Sequence, residues 1–190
     1  MANCVIFAGV NGVGKTTLYN TFISTLDLGI RINTDEIVRE IGDWRNNEDQ
    51  IKAGRIALKL RKDCIEKNID FNQETTLTGK NIIKVIKDIK KKRYTLHLYY
   101  IGVESPDISK ERIKNRVAKG GHDIPTDIIE KRYIETLENI KEILPLVDYA
   151  KIYDNTNNYK LCYAKFSDLY LKVCDKVPNW LDKVLKEIGV

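Results

Sequence analysis

The run Gly9-Val10-Asn11-Gly12-Val13-Gly14-Lys15-Thr16 constrains this chain more than any other stretch. It follows the pattern Gly-x-x-x-x-Gly-Lys-Ser/Thr, a loop whose backbone amides cradle phosphate groups. The flanks agree. Cys4 to Ala8 is a short apolar run of the buried-strand kind, and Thr16 to Leu26 has helical spacing, with Leu18, Phe22 and Leu26 on one face. Glycine is needed here because a side chain would block the backbone from wrapping an anion. The amides of Gly12 to Thr17 then point at the phosphates, reinforced by the positive end of the helix. Gly9, Asn11, Gly12, Val13, Gly14, Lys15, Thr16 and Thr17 are therefore the candidate nucleotide-binding residues. Lys15 is expected to reach the β- and γ-phosphates and Thr16 to offer its hydroxyl to Mg²⁺, with ATP or GTP as the nucleotide.

The rest of the chain reads as alternating strands and helices. Ile30 to Asn33, Ile69 to Asn72, Thr95 to Ile101 and Tyr149 to Tyr153 are strand-like. Ile51 to Lys67 is helical, with Ile51, Ile56, Leu58, Leu60 and Ile65 as core candidates; Asn81 to Lys92 is helical with Ile82, Val85, Ile86 and Ile89 inward. The pattern predicts an α/β, three-layer P-loop fold on a five-stranded parallel sheet. Pro106 to Pro145 has no strand pattern. It holds two helices, Ser109 to Lys119 and Thr126 to Leu144, joined by Gly120-Gly121-His122-Asp123, and residues 106–145 are expected to form a helical lid. Lys160 to Phe166 and Leu169 to Cys174 read as a small hairpin around Ser167-Asp168, with helix as the alternative. A last helix starts at Pro178. No repeat or linker divides residues 1–190, so one domain is expected.

Composition narrows the partners. The net charge of +5, from 32 basic and 27 acidic residues, suits a polyphosphate but is too weak and too evenly spread to indicate nucleic acid. No apolar stretch approaches the roughly 20 residues that span a bilayer. The apolar run at Cys4 ends too early, and without a preceding basic region, for a secretion signal. Cys4, Cys64, Cys162 and Cys174 lack metal-ligand spacing and read as buried reduced thiols. The expected location is cytoplasmic.

A P-loop alone does not distinguish a kinase from a motor or a switch. Those usually place an Asp at the end of a strand to hold Mg²⁺. Here the strand Thr95 to Ile101 runs into Gly102-Val103-Glu104, and no Asn-Lys-x-Asp guanine signature occurs. These features point to a small kinase. Asp35 follows the second strand, on the sheet edge where ligands bind. It is a candidate base for a substrate hydroxyl, or a helix N-cap. Glu74, Thr75 and Thr76 leave the third strand on the same edge and are candidates for binding substrate hydroxyls, or for starting the next helix.

Arg112 and Arg116 share one helical face, and Arg132 lies on the following helix. A lid cation neutralises charge on a phosphoryl group in transfer, a task suited to the planar fork of Arg. Solvated helix charge is the other reading of these residues. His122 beside Asp123 reads as a turn residue. Asp154-Asn155 follows the fifth strand, where Asn155 can border the nucleotide base or simply make a turn.

These blocks, in order, are Gly9 to Thr17, Asn33-Thr34-Asp35-Glu36, Glu74-Thr75-Thr76-Leu77-Thr78-Gly79, Arg112-x-x-x-Arg116 with Gly120-Gly121-His122-x-x-Pro125, Arg132-Tyr133 and Asp154-Asn155. Over about residues 4 to 156 the chain resembles the zeta-toxin-like P-loop kinases, in particular their compact branch. The resemblance implies strand order 2-3-1-4-5 and an arginine-bearing lid. It implies phosphorylation of a small-molecule hydroxyl, which in better-known members belongs to the sugar of UDP-N-acetylglucosamine. A small antitoxin protein is the implied partner. Lys15 and Thr16 match the phosphate and Mg²⁺ positions, Asp35 the general base and Glu74 a substrate-binding acid. Arg116 matches one lid arginine, and Arg112 or Arg132 the second.

Overall fold

The computed structural model describes every residue from Met1 to Val190. Its strands are β1 (Asn3–Ala8), β2 (Ile30–Ile32), β3 (Phe71–Thr75), β4 (Thr95–Gly102), β5 (Tyr149–Asp154), β6 (Lys160–Phe166) and β7 (Leu169–Lys172). Its helices are α1 (Lys15–Ile23), α2 (Thr34–Ile41), α3 (Asn47–Lys67), α4 (Asn81–Lys91), α5 (Pro106–Ala118), α6 (Thr126–Ile143) and α7 (Asn179–Ile188). The strands form one sheet in the order β2-β3-β1-β4-β5-β6-β7. The first five are mutually parallel, and β6 and β7 continue the sheet antiparallel.

The α/β class and the 2-3-1-4-5 order are as expected, but the sheet has seven strands rather than five. The hairpin does not stand apart. Asn155, Thr156, Asn157 and Asn158 are turn-forming residues, and they let the chain reverse directly after β5, so β6 pairs with it instead of crossing over.

Strand β1 explains why helices cover both faces. Cys4, Ile6 and Ala8 join a core of 29 buried residues on one side, while Val5 and Phe7 join 12 on the other. Successive strand residues point to opposite faces, so a strand apolar throughout needs two covers. Helix α7 supplies Trp180, Leu181, Val184 and Leu185 to the larger core.

Helix faces depart from the sequence reading in detail. In α3 the buried stripe is Ala53, Ala57 and Cys64, whereas Ile51 and Leu58 are exposed. Those two stripes lie on roughly opposite sides of a helix, and small residues face inward where α3 approaches its neighbours. In α4 the buried set is Ile83, Ile86 and Ile89, with Ile82 and Val85 half-buried. Helix α1 stops at Ile23, leaving Leu26 exposed beyond it. No helix is long and apolar enough to cross a membrane.

Candidate functional site

Because β1, β2 and β3 are parallel, their carboxyl ends deliver three segments to one edge: the phosphate loop, Asn33 with α2, and Glu74 with Thr75. That edge, at the point where strand order reverses around β1, is where open α/β sheets place ligands. The loop's glycines are forced. Gly9 has φ 136°, and a Cβ there would lie 2.1 Å from the Ile101 carbonyl oxygen; Gly14 has φ 98°, and its Cβ would lie 2.0 Å from the Tyr159 hydroxyl. Both conformations favour glycine.

Two cavities meet at the loop. One, of about 340 Å³, brings Asn11, Lys15, Thr16 and Thr17 together with Asp35 and Glu74, under Arg112 and Arg116. The other, of about 310 Å³, adds Thr75, Thr76 and Arg132 to Lys15, Asp35 and Glu74. A third, of about 410 Å³, opens on the far side of Asp35 between Arg39, Trp44, Gln50 and the lid residues Arg116 and His122. Asp35 borders all three.

Lys15 is buried, its ammonium donating to the Val10 carbonyl at 3.1 Å. Burial pushes its pKa down; Glu74 and Asp35 oppose this, and Arg116 and Arg132 add to it. The Thr16 hydroxyl donates to Glu74, 3.0 Å from either carboxylate oxygen. Glu74 in turn accepts from Arg31 Nη2 at 2.8 Å and Asn33 Nδ2 at 3.1 Å. Arg31 also meets Glu36 at 2.9 Å and lies 3.6 Å from the Tyr19 ring centroid. Burial opposes the charge of Arg31, but its bonds to Glu36 and Glu74 outweigh that and raise its pKa. Glu74 is thus fixed before any ligand arrives.

Asn33 caps α2, its side-chain oxygen accepting from the Asp35 amide at 3.0 Å. Asp35 is therefore in the first turn and not the cap. Its carboxylate makes no hydrogen bond and is exposed to the cavities. Thr75 and Thr76 line the second cavity, but their hydroxyls already have partners, the Leu77 amide at 3.0 Å and the Thr78 hydroxyl at 2.8 Å.

The lid reaches the cleft through three arginines. Arg112 donates to the Asn155 carbonyl at 2.7 Å, Arg116 to the His122 carbonyl at 2.6 Å, and Arg132 to the Asn11 side chain at 2.9 Å. Arg112 Nη1 and Arg116 Nε are buried with no partner. Orphaned buried donors are costly, and both side chains line the cavity at the phosphate loop. His122 stacks on Trp44, with ring centroids 4.5 Å apart and 14° between the planes.

Gly9, Val13 and Asn155 do not line these cavities. Asn155 is 9% exposed and its side chain donates to the Val13 carbonyl at 2.9 Å, bracing the loop from behind. Tyr159 does the same at Gly14, 2.5 Å from its carbonyl. Arg31, Arg39, Trp44, Gln50 and Tyr159 were not singled out by sequence. Only Arg39 carried a signal, its spacing of four from Asp35 on one helix face.

The residues suit a magnesium nucleotide. Orphaned guanidinium donors, glycines at positive φ and a buried lysine match a polyphosphate, while Thr16 and Glu74 give a hard cation oxygen donors. No cluster of three or more His, Cys, Asp or Glu side chains is assembled to hold a metal by protein alone. Mg²⁺ usually takes only one or two protein ligands and leaves the rest to phosphate and water.

The family model described as Zeta toxin matches residues 3–165. An uncharacterized protein of Haemophilus influenzae is 37% identical over 129 residues, covering 68% of this chain and 91% of that protein. A chain from the PezAT chromosomal toxin–antitoxin system of Streptococcus pneumoniae has a TM-score of 0.63 at 19% identity, covering 99% of this chain and 87% of its own. A chain of an AvrRxo1-ORF1:ORF2 complex with ATP gives 0.72 at 11% identity, with 99% of this chain and 63% of that one covered. At these identities the structural likeness concerns the fold.

Proposed function

The chain belongs to the zeta-toxin family, and from that premise we propose that it transfers the γ-phosphate of ATP or GTP to a small-molecule hydroxyl. The observation that carries this reading is Asp35: an unbonded carboxylate on the cleft wall, bordering the same cavity as Lys15 and the loop. A pure hydrolase has no need of the further polar cavities that open beside Asp35.

In the proposed reaction the loop amides and Lys15 bind the β- and γ-phosphates. Thr16 and Glu74 would hold a magnesium ion, which would supply neutralisation of charge on those oxygens. Asp35 takes the proton from the acceptor hydroxyl. The acceptor oxygen bonds to the γ-phosphorus as its bond to the β–γ bridging oxygen breaks, leaving ADP or GDP. Arg116, with Arg112 or Arg132, offsets the charge that spreads over the transferring group. Glu74, Thr75 and Thr76 hold the acceptor, and Asn155 supports the loop at the base end. UDP-N-acetylglucosamine is the first acceptor to test. A small antitoxin protein as partner, a cytoplasmic location and a single domain over 1–190 belong to the same proposal.

The test is incubation with labelled ATP and a panel of UDP-sugars and other hydroxyl metabolites. A phosphorylated acceptor is expected from the wild type. Asp35→Asn should still bind ATP but lose transfer by about 10²- to 10⁴-fold. Transfer by this variant at the wild-type rate overturns the base assignment, and release of free phosphate with every acceptor overturns the kinase.

A further inference from the structure

We propose that β7 is a docking edge for a second copy of this chain. The two strands pair antiparallel about a two-fold axis at Leu171 and join two sheets into one. The proposal is independent of the kinase reading, because β7 lies at the edge of the sheet away from the cleft at β1, β2 and β3.

The backbone fixes which groups are free. β7 is the outermost strand and is laddered to β6 alone, with Leu171 opposite Ala164 and Lys172 opposite Tyr163. Val173 donates its amide to the Cys162 carbonyl at 2.9 Å. Hydrogen-bonded and non-hydrogen-bonded pairs alternate along an antiparallel ladder. Leu169, Leu171 and Val173 are therefore the positions bonded to β6, and the amides and carbonyls of Tyr170 and Lys172 point outward. With Leu171 set opposite Leu171 of the second copy, Tyr170 falls opposite Lys172 at both ends. Each of these pairs then exchanges both of its free bonds. A register centred on Lys172 would set lysine against lysine, which is unfavourable. One centred on Tyr170 would leave Val173 facing the turn at Ser167. Centred on Leu171, every ladder residue from Leu169 to Val173 has a mate and no like charges meet.

The side chains favour the same partner. Tyr170 packs on the larger core, so Leu169, Leu171 and Val173 look out of the opposite face, where they are 58%, 41% and 50% exposed. They end an apolar row. His97, Tyr149, Phe166 and Leu169 stand directly opposite one another from β4 to β7. His97 stacks on Tyr149, with ring centroids 4.9 Å apart, and Tyr149 and Phe166 are exposed. Proteins usually guard a bare edge with charge or proline. Here the one charged residue of β7, Lys172, alternates with the leucines and lies on the other face. About the two-fold axis, Leu171 meets Leu171 and Leu169 meets Val173, in the non-hydrogen-bonded pairs whose side chains approach closest. The apolar row of one copy then continues into that of the other.

The experiment joins sedimentation equilibrium of the full chain to cross-linking with diamide as oxidant. The wild type is expected to pass from monomer to dimer as its concentration rises. Leu171→Lys sets two ammonium groups against each other at the axis and should raise the dimer dissociation constant by roughly tenfold or more. Leu171→Cys should form a disulfide with itself, since Cα atoms in a non-hydrogen-bonded pair lie about 4.5 Å apart, within disulfide reach. Leu169→Cys and Val173→Cys should each fail to link alone and should link when mixed. The four native cysteines are buried, which keeps them out of the reaction. This second arm decides the matter even if Leu171→Lys fails to fold. A wild type that stays monomeric throughout overturns the proposal and leaves the edge to a different protein. A dimer that Leu171→Lys leaves intact lies on another surface and overturns it too. A mixture of Leu169→Cys and Leu171→Cys that links faster than Leu171→Cys alone overturns the axis at Leu171.

Discussion

Lys15 is a buried cation whose ammonium rests on the Val10 carbonyl, not on a carboxylate. Burial lowers its pKa, so folding disfavours its charged form in the absence of ligand. Lys15→Met should therefore melt higher than the wild type without nucleotide. A gain of about 1 kcal/mol corresponds to roughly 2–4 °C for a chain of this size. The same variant should lose phosphoryl transfer and the added stability that ATP gives the wild type, about 2.7 kcal/mol at a hundredfold excess over Kd. Differential scanning fluorimetry with and without ATP reads both effects; a variant melting lower without nucleotide counts against a strained lysine. Lys15 was legible in the sequence because its motif is local. Trp44 and Tyr159 were not, because what sets them apart is a neighbour far along the chain: the lid for Trp44, the loop carbonyl of Gly14 for Tyr159. Asn155 was expected to border the base or to make a turn; its bond to Val13, which braces the loop from behind, is tertiary and has no sequence signal.

At the scale of elements, the stack of Trp44 on His122 joins the segment between α2 and α3 to the loop between α5 and α6. Stacked rings contribute about 0.5–1.5 kcal/mol beyond burial, enough to bias a lid. Burial pushes the His122 pKa down, Arg116 and Arg132 add to this, and Asp35 and Asp123 oppose it. A histidine lowered in the folded state contributes stability above its unfolded pKa of about 6.5 and loses it as pH falls through the folded value. Amide exchange across residues 119–124 should accordingly speed up between pH 7 and pH 5, after correction for intrinsic rates. Trp44→Ala should show the faster exchange already at pH 7. Exchange that ignores both changes would mean the stack does not hold the lid. The lid helices themselves were legible, since Gly120-Gly121 separates two periodic runs. The inward face of α3 was not: Ala53 and Ala57 give weak apolar signals, and Ile51 and Leu58 outweigh them in a periodicity count although the fold leaves them exposed.

Over the whole molecule, the family match ends at residue 165, yet the core does not. Cys174, Trp180, Leu181, Val184 and Leu185 are buried in the same cluster as Ile6, Leu98 and Ile152 of the central strands. Trp180 also donates its indole N–H to Asp154, at the end of β5, at 2.8 Å. Burying a large apolar side chain contributes roughly 1.5–3 kcal/mol, so Trp180, Leu181, Val184 and Leu185 together contribute on the order of 6–12 kcal/mol. That is comparable with the whole stability of a typical domain, about 5–15 kcal/mol. A chain ended after Asp175, keeping the family-matched region and the hairpin but losing α7, should therefore fail to give a cooperative thermal transition. The full chain should unfold in one step, with near-ultraviolet circular dichroism of its aromatic residues and far-ultraviolet helix signal lost together. If the shortened chain melts sharply within a few degrees of the full one, α7 is an appendage, and residues 1–190 are not the single folding unit proposed.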